Sequence, residues 1–72
     1  MNNDNYVLID AMTLAFELSG LSQTEIADRM NSYQSSISRM LAGKRIPSWK
    51  YATRFFRACG FVVTKIELEK IK

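Results

Sequence analysis

Apolar and polar positions divide the chain into short helical segments followed by a tail of different character. The segments are separated by Gly20, Gly43, Pro47 and Gly60. The first segment, residues 6–19, is apolar almost all round, and we predict a helix that Asp4 or Asn5 caps. One apolar stripe must face a core. The apolar residues outside that stripe indicate either a second buried face against another subunit or ordinary exposed apolar surface.

The second and third segments are short and are joined by a tight turn. Ser22 and Glu25 have the spacing of a capping box, which predicts a helix ending near Met30. Asn31 follows, and asparagine tolerates the left-handed backbone conformation that ends helices. We predict a third helix from about residues 32–34 to about Leu41. Two short helices joined in this way are the plan of a helix-turn-helix.

A fourth helix is predicted after Pro47, with Ser48 as its N-cap and Gly60 at its end. We expect Arg54 and Arg57 on its outer surface. We assign four residues from three of the helices to the core: Ile26, Ala27, Ile37 and Trp49.

The tail after Gly60 is rich in β-branched residues in an alternating pattern, which favours a strand at about 61–68. The alternative is a fifth helix that ends in LEKIK. A lone strand has nothing to pair with in a four-helix domain, so we predict that it pairs with the same strand of a second chain. The predicted dimer interface consists of Phe61, Val62, Val63, Thr64, Ile66 and Leu68.

The predicted fold is therefore mostly α: a compact four-helix domain over residues 1–72 with a C-terminal strand. Cys59 is the only cysteine, and the chain has no histidine, so we expect neither a disulfide within the chain nor a zinc site, and no cofactor. We interpret Cys59 as a core residue rather than a redox switch. No apolar run approaches the ~18 residues that span a bilayer, and we expect a cytoplasmic protein that is not an enzyme.

Charge is distributed unevenly along the chain. Residues 1–31 contain five acidic residues and one basic residue, whereas residues 32–72 contain nine basic residues and two acidic ones. Such asymmetry indicates either a face for a polyanion or a solvated surface with surplus basic residues.

The motifs together resemble a known family. Residues 21–30 (LSQTEIADRM), 34–39 (QSSISR), the Gly43-Lys44 pair and the Pro47-Ser48 pair are similar to the lambda repressor/Cro type of helix-turn-helix, the Xre-like group. The resemblance covers about residues 12–60. It implies a lambda repressor-like fold with the helix-turn-helix at about 21–43, and a third helix that enters the major groove of double-stranded DNA.

The resemblance also implies roles for individual side chains. The implied base contacts are made by Gln34, Ser35, Ser38 and Arg39. The implied phosphate contacts are made by Gln23, Tyr33, Lys44 and Arg45. In the family, the residue at position 23 also supports the one at position 34, which typically pairs with adenine. Alternatives remain for two of these residues: Arg39 pairs with Asp28 or Glu25, and Tyr33 contacts a thymine methyl group or packs against the turn.

Some positions depart from the family pattern. Asn31 replaces the usual glycine of the turn, Ser32 replaces a small aliphatic residue, and Tyr33 replaces a capping serine or threonine. Relatives often pair an arginine of the first helix with a glutamate late in the recognition helix, and Phe16 and Leu41 occupy those positions. We predict that an apolar contact replaces that ion pair.

The function that these observations favour is a homodimeric, sequence-specific transcriptional repressor that recognises a palindromic operator in double-stranded DNA. The alternative is an antitoxin that binds both its operator and a toxin protein, with the apolar first helix as the surface that contacts the toxin.

Overall fold

Four helices form the part of the chain that the computed structural model describes, residues 4–64. They are α1 (Asp4–Ser19), α2 (Gln23–Met30), α3 (Gln34–Leu41) and α4 (Trp49–Ala58). The predicted helices are confirmed, although α1 begins two residues earlier than expected, so Asp4 and Asn5 both lie inside it and neither is its N-cap. Within residues 4–64 no helix is both long and apolar enough to cross a membrane.

Side chains cap the starts of α2 and α4, as predicted. The Ser22 hydroxyl accepts a hydrogen bond from the backbone N–H of Glu25 at 3.1 Å, and the Glu25 carboxylate accepts one from the backbone N–H of Ser22 at 2.8 Å. The bond from the Ser22 backbone N–H is the largest cause of the lowered pKa of the Glu25 carboxyl group, and the Ser22 side chain is the next. At α4 the Ser48 hydroxyl accepts from the Tyr51 N–H at 3.0 Å. Each cap satisfies a backbone donor that has no partner inside its helix.

Left-handed residues end α2 and α3. Asn31 has φ 56°, and the N–H of the next residue, Ser32, donates to the Ala27 carbonyl at 2.8 Å. Gly43 has φ 77°, and the Lys44 N–H donates to the Arg39 carbonyl at 3.0 Å. Both are Schellman motifs, which supply donors to the last carbonyls of a helix. The motif at Asn31 therefore fixes the turn between α2 and α3, and the motif at Gly43 fixes the end of α3.

The core lies where the four helices meet. Met12, Ile26, Ile37, Met40 and Phe55 are the largest fully buried side chains. Burial of each contributes on the order of 1.5–3 kcal/mol relative to exposure. Ala27 is also buried, which lets α2 approach its neighbours closely.

One residue predicted for the core is at the surface. Trp49 is 48% exposed, so its assignment to the core was wrong. Its neighbours Ser48 and Lys50 are exposed as well, which shows that the first turn of α4 lies beyond the edge of the core. Ala52, Phe55 and Ala58 fill the inward face of the helix instead.

The predicted C-terminal strand is a second correction. Residues 61–64 form neither a strand nor a fifth helix, and the rest of the prediction, including Ile66 and Leu68, lies outside the described residues. The physical reason is the end of α4, where Gly60 has φ 98° and the Phe61 N–H donates to the Phe56 carbonyl at 2.9 Å. This Schellman turn directs the chain back beside α1.

Candidate nucleic-acid interface

A hydrogen bond between two glutamine side chains joins the starts of α2 and α3. The Gln34 amide donates from Nε2 to Oε1 of Gln23 at 2.6 Å. Gln23 is the first residue of α2 and Gln34 the first of α3, so the bond joins the N-terminal ends of both motif helices. Gln34 is exposed and Gln23 is half-buried, which leaves the remaining polar atoms of Gln34 accessible.

The outward side of α3 carries short polar side chains. Ile37 and Met40 are fully buried and mark the side that faces the core. Residues four apart lie one above the other on a helix, so Ser38 lies above Gln34, and Arg39 lies above Ser35 beside them. We call these four residues together the recognition row. Ser38 is half-buried and the other three are exposed.

The start of α3 has free backbone donors. Its N-cap residue, Tyr33, makes no capping hydrogen bond with its side chain. The Tyr33 ring is 79% exposed, so it does not pack tightly against the turn. Unpartnered N–H groups at a helix start favour a nearby anion.

Basic side chains follow the C-terminal end of α3. Lys44 and Arg45 are both exposed, and the Schellman turn at Gly43 places them directly after the helix. The Arg45 guanidinium lies over the Tyr51 ring, 5.8 Å from its centroid, so a cation–π contact holds it against α4. The planar edge of the guanidinium carries donors that this contact leaves available.

One of the two alternative partners of Arg39, Glu25, is engaged elsewhere. The Glu25 carboxylate accepts the capping bond from Ser22, and the positive charge that acts on it is that of Arg29.

The predicted contact between Phe16 and Leu41 stays a prediction: both are half-buried and pack against the same core.

Three residues with unpredicted roles lie at the opposite end of α2. Arg29 donates from Nη1 to the Ala58 carbonyl at 3.0 Å, Arg54 donates to the Met30 carbonyl, and Arg57 lines the same pocket. The sequence showed arginines three apart on α4, which predicted an outer surface for them. It did not show that α2 and α4 end side by side.

The described part of the predicted dimer interface lies along α1. An apolar groove of about 260 Å³ runs between α1 and the segment after α4. We call it the apolar groove; its lining is Ala11, Leu14, Ala15, Leu18, Phe56, Phe61, Val62 and Val63. Leu14 is 56% exposed and Leu18 66%. Predicted interface residue Thr64 is also exposed.

Cys59 is buried and free. Burial raises the pKa of the Cys59 thiol, which disfavours the reactive thiolate. Its assignment to the core is confirmed.

Comparison with known proteins agrees with this geometry. A family model described as a helix-turn-helix domain matches residues 17–68, which include α2, α3 and α4. No curated protein and no solved structure matches the chain. The chain belongs to the helix-turn-helix domain family of the Xre/lambda-repressor type, which is a DNA-binding family.

Proposed function

We propose that residues 1–72 act as one domain that binds double-stranded DNA sequence-specifically and represses transcription as a homodimer. The observation that supports this most directly is the hydrogen bond between Gln23 and Gln34. It fixes the amide of the first residue of α3, the position from which a recognition helix contacts base edges.

The bond leaves Gln34 with the atoms that adenine requires. One N–H of its Nε2 is used by Gln23, so the second N–H and the Oε1 are free. Adenine offers an acceptor at N7 and a donor at N6 in the major groove, which matches this pair. The Gln23 amide keeps both of its own N–H donors, which are available for a DNA phosphate.

Other side chains of the recognition row contribute less to base discrimination. Ser35 and Ser38 are short, so their contacts to bases are weak or bridged by water. Arg39 is long enough to reach a guanine edge or a phosphate. Lys44, Arg45 and Tyr33 contact the DNA backbone on either side of the helix and set its register without selecting a sequence.

So few base contacts make a second copy necessary for specificity. Two motifs related by a two-fold axis contact half-sites one turn of DNA apart, about 34–36 Å. The apolar groove supports the same arrangement, because Leu14 and Leu18 of α1 leave apolar surface that a second chain can cover.

The test of base recognition is selection of bound sequences from random duplex DNA, followed by titration of the selected site. We expect Gln34→Ala to lose preference at one base pair per half-site, a loss of about 1–3 kcal/mol of discrimination. Gln23→Ala and the double variant complete a thermodynamic cycle, in which the two losses are not additive. Unchanged preference in Gln34→Ala would contradict the proposed contact.

Lys44→Ala provides the matched comparison for a phosphate contact. Removal of one phosphate contact weakens all DNA sequences alike and reduces the slope of log affinity against log salt by about one. A sequence-dependent loss in this variant would assign Lys44 to base recognition instead.

The dimer is tested by sedimentation of the intact chain, of a chain that lacks residues 61–72, and of Leu18→Gln. We expect the intact chain to dimerise and both variants to be monomeric. Leu18 is 66% exposed, so its substitution leaves the core intact. A truncated chain that stays dimeric would refute the role of the C-terminal segment.

The apolar groove also favours a second candidate, an antitoxin whose α1 contacts a toxin protein. The two candidates predict different behaviour of the isolated chain. A dimer whose Leu18→Gln variant dissociates supports the homodimeric repressor. A chain that is monomeric alone, and that co-purifies with an enzyme only when Leu18 is intact, supports the antitoxin.

A further inference from the structure

Three arginines surround a pocket at the C-terminal ends of α2 and α4. The pocket has a volume of about 290 Å³ and is lined by Arg29, Met30, Arg54, Arg57 and Ala58. No carboxylate is among these lining residues. We call it the arginine pocket, and from its charge and geometry we infer that it binds a phosphate group.

Two of the arginines are held in fixed positions. Arg29 of α2 donates to the Ala58 carbonyl at the end of α4, and Arg54 of α4 donates to the Met30 carbonyl at the end of α2. Each helix thus supplies an arginine to the other's C-terminus, where the helix dipole favours a cation. A guanidinium has five N–H donors, so each keeps donors for a ligand and loses little conformational freedom on binding it.

The third arginine has no such structural task among the described residues. Arg57 is exposed and lines the same pocket, yet neither helix end accepts a hydrogen bond from it. Three like charges beside one cavity repel one another, and an anion between them removes that repulsion.

The charge of the pocket matches a phosphate dianion better than a single carboxylate. Three guanidinium groups carry three positive charges, and two helix C-termini offset roughly half a charge each. About two positive charges remain. Guanidinium groups bind phosphate through paired N–H donors, while Met30 and Ala58 provide apolar wall for the part of a ligand that carries the phosphate.

The pocket is separate from the recognition row. Gln23, which bonds to Gln34 of the recognition row, begins α2, and Met30, which lines the pocket, ends it. The two ends of α2 are about 10 Å apart at 1.5 Å per residue. None of the recognition row, Lys44 or Arg45 lines the pocket. The inference therefore does not depend on the proposed contacts to bases.

The experiment is a titration of the full chain with inorganic phosphate, followed through the Nε–H resonances of ¹⁵N-labelled arginine, with sodium chloride balancing the ionic strength. We expect saturable shifts of Arg29, Arg54 and Arg57, and a melting temperature that rises with phosphate concentration. Arg57→Gln should weaken phosphate binding at least about tenfold, because it removes one charge-assisted contact. Its melting temperature in chloride should not fall, because Arg57→Gln also removes repulsion among the three arginines.

Lys50→Gln is the matched control. It removes the same charge from the exposed start of α4 and should leave the phosphate affinity within about twofold, the effect of general charge alone. Equal weakening in Arg57→Gln and Lys50→Gln would overturn the site in favour of non-specific attraction. Shifts that chloride reproduces, or that never saturate, would overturn it as well.

A final arm identifies the source of the phosphate group. Phosphate is titrated into the chain in the presence of excess duplex DNA of random sequence. If the duplex itself shifts the three arginine resonances and excludes phosphate, the ligand is the DNA backbone. If phosphate still binds with undiminished affinity, the ligand is a free phosphate or a small phosphorylated molecule. Absence of shifts with both ligands refutes the inference.

Discussion

The helix-turn-helix and the first helix bury their apolar residues to very different extents. Within α2 and α3 the large apolar side chains are buried or half-buried, including Ile26, Met30 and Ile37. In α1, Val7, Leu14 and Leu18 are between 56% and 67% exposed. The motif is therefore complete within one chain, whereas α1 has apolar surface left over for an intermolecular contact.

The difference follows from the pattern of each helix. In α2 and α3 the apolar residues recur on one side, which the rest of the domain covers. In α1 they occur almost all round, and one domain of this size can cover only one side. Substitutions in the two regions should therefore affect different properties, unfolding in the first and association in the second.

The largest expected effect is that of Ile37→Ala in α3. Ile37 is fully buried, so the substitution removes core contacts and leaves a cavity, which costs about 2–5 kcal/mol of unfolding free energy. Urea unfolding measures it, with Leu18→Ala at low protein concentration as the control. If Leu18→Ala lowered the unfolding free energy as much as Ile37→Ala, the difference between the two regions would be contradicted.

A smaller effect is expected at the capping box. Ser22→Ala removes the hydroxyl that caps α2 and should lower the unfolding free energy by about 1 kcal/mol, as measured by thermal unfolding against the exposed control Thr24→Ala. Because the pKa of Glu25 is lowered in the folded chain, its stabilising effect is present at neutral pH. It is lost as the pH falls through the folded pKa.

The pH dependence of stability that comes from Glu25 can be separated from that of the other carboxyl groups of the protein. Ser22→Ala should weaken the dependence only in part: the backbone N–H of residue 22, the largest cause of the lowered pKa, remains, and only the hydroxyl, the second cause, is removed. Identical melting curves against pH in Ser22→Ala and the parent chain would show that the Ser22 hydroxyl contributes nothing.

The smallest effect on folding is expected on the exposed side of α1. Leu14→Ser should change the unfolding free energy of the monomer by less than about 0.5 kcal/mol. It should also abolish the rise of the melting temperature with protein concentration that a dimer shows. A concentration dependence that survives the substitution would show that α1 is not part of the interface.

Local features of the fold could be predicted from the sequence because neighbours in the chain determine them. Ser22 and Glu25 are three residues apart, and the caps that they form are as predicted. Asn31 adopts the left-handed conformation that its side chain tolerates. The hydrogen bond of Gln34 to Gln23 was also expected, although from the family resemblance rather than from the pattern of residues.

Errors arose where a residue's position relative to the core mattered. Trp49 is apolar and lies in a helix, yet the first turn of α4 extends past the core. Alternation of residues after Gly60 indicated a strand, but residues 61–63 lie beside α1 because the Schellman turn places Phe61 on the α1 side. The pattern of residue types indicates which secondary structure a segment favours, but not which other elements it packs against.

The sequence by itself determined the four helices, the caps of α2 and α4, the turn of the helix-turn-helix and the polar row on α3. These depend on residues within a few positions of one another, so short-range hydrogen bonds and helical periodicity are sufficient. The apolar groove and the arginine pocket were decided only by the tertiary structure. Each joins residues from separate helices, such as Arg29 and Arg54, whose proximity depends on how the helices pack around a shared core.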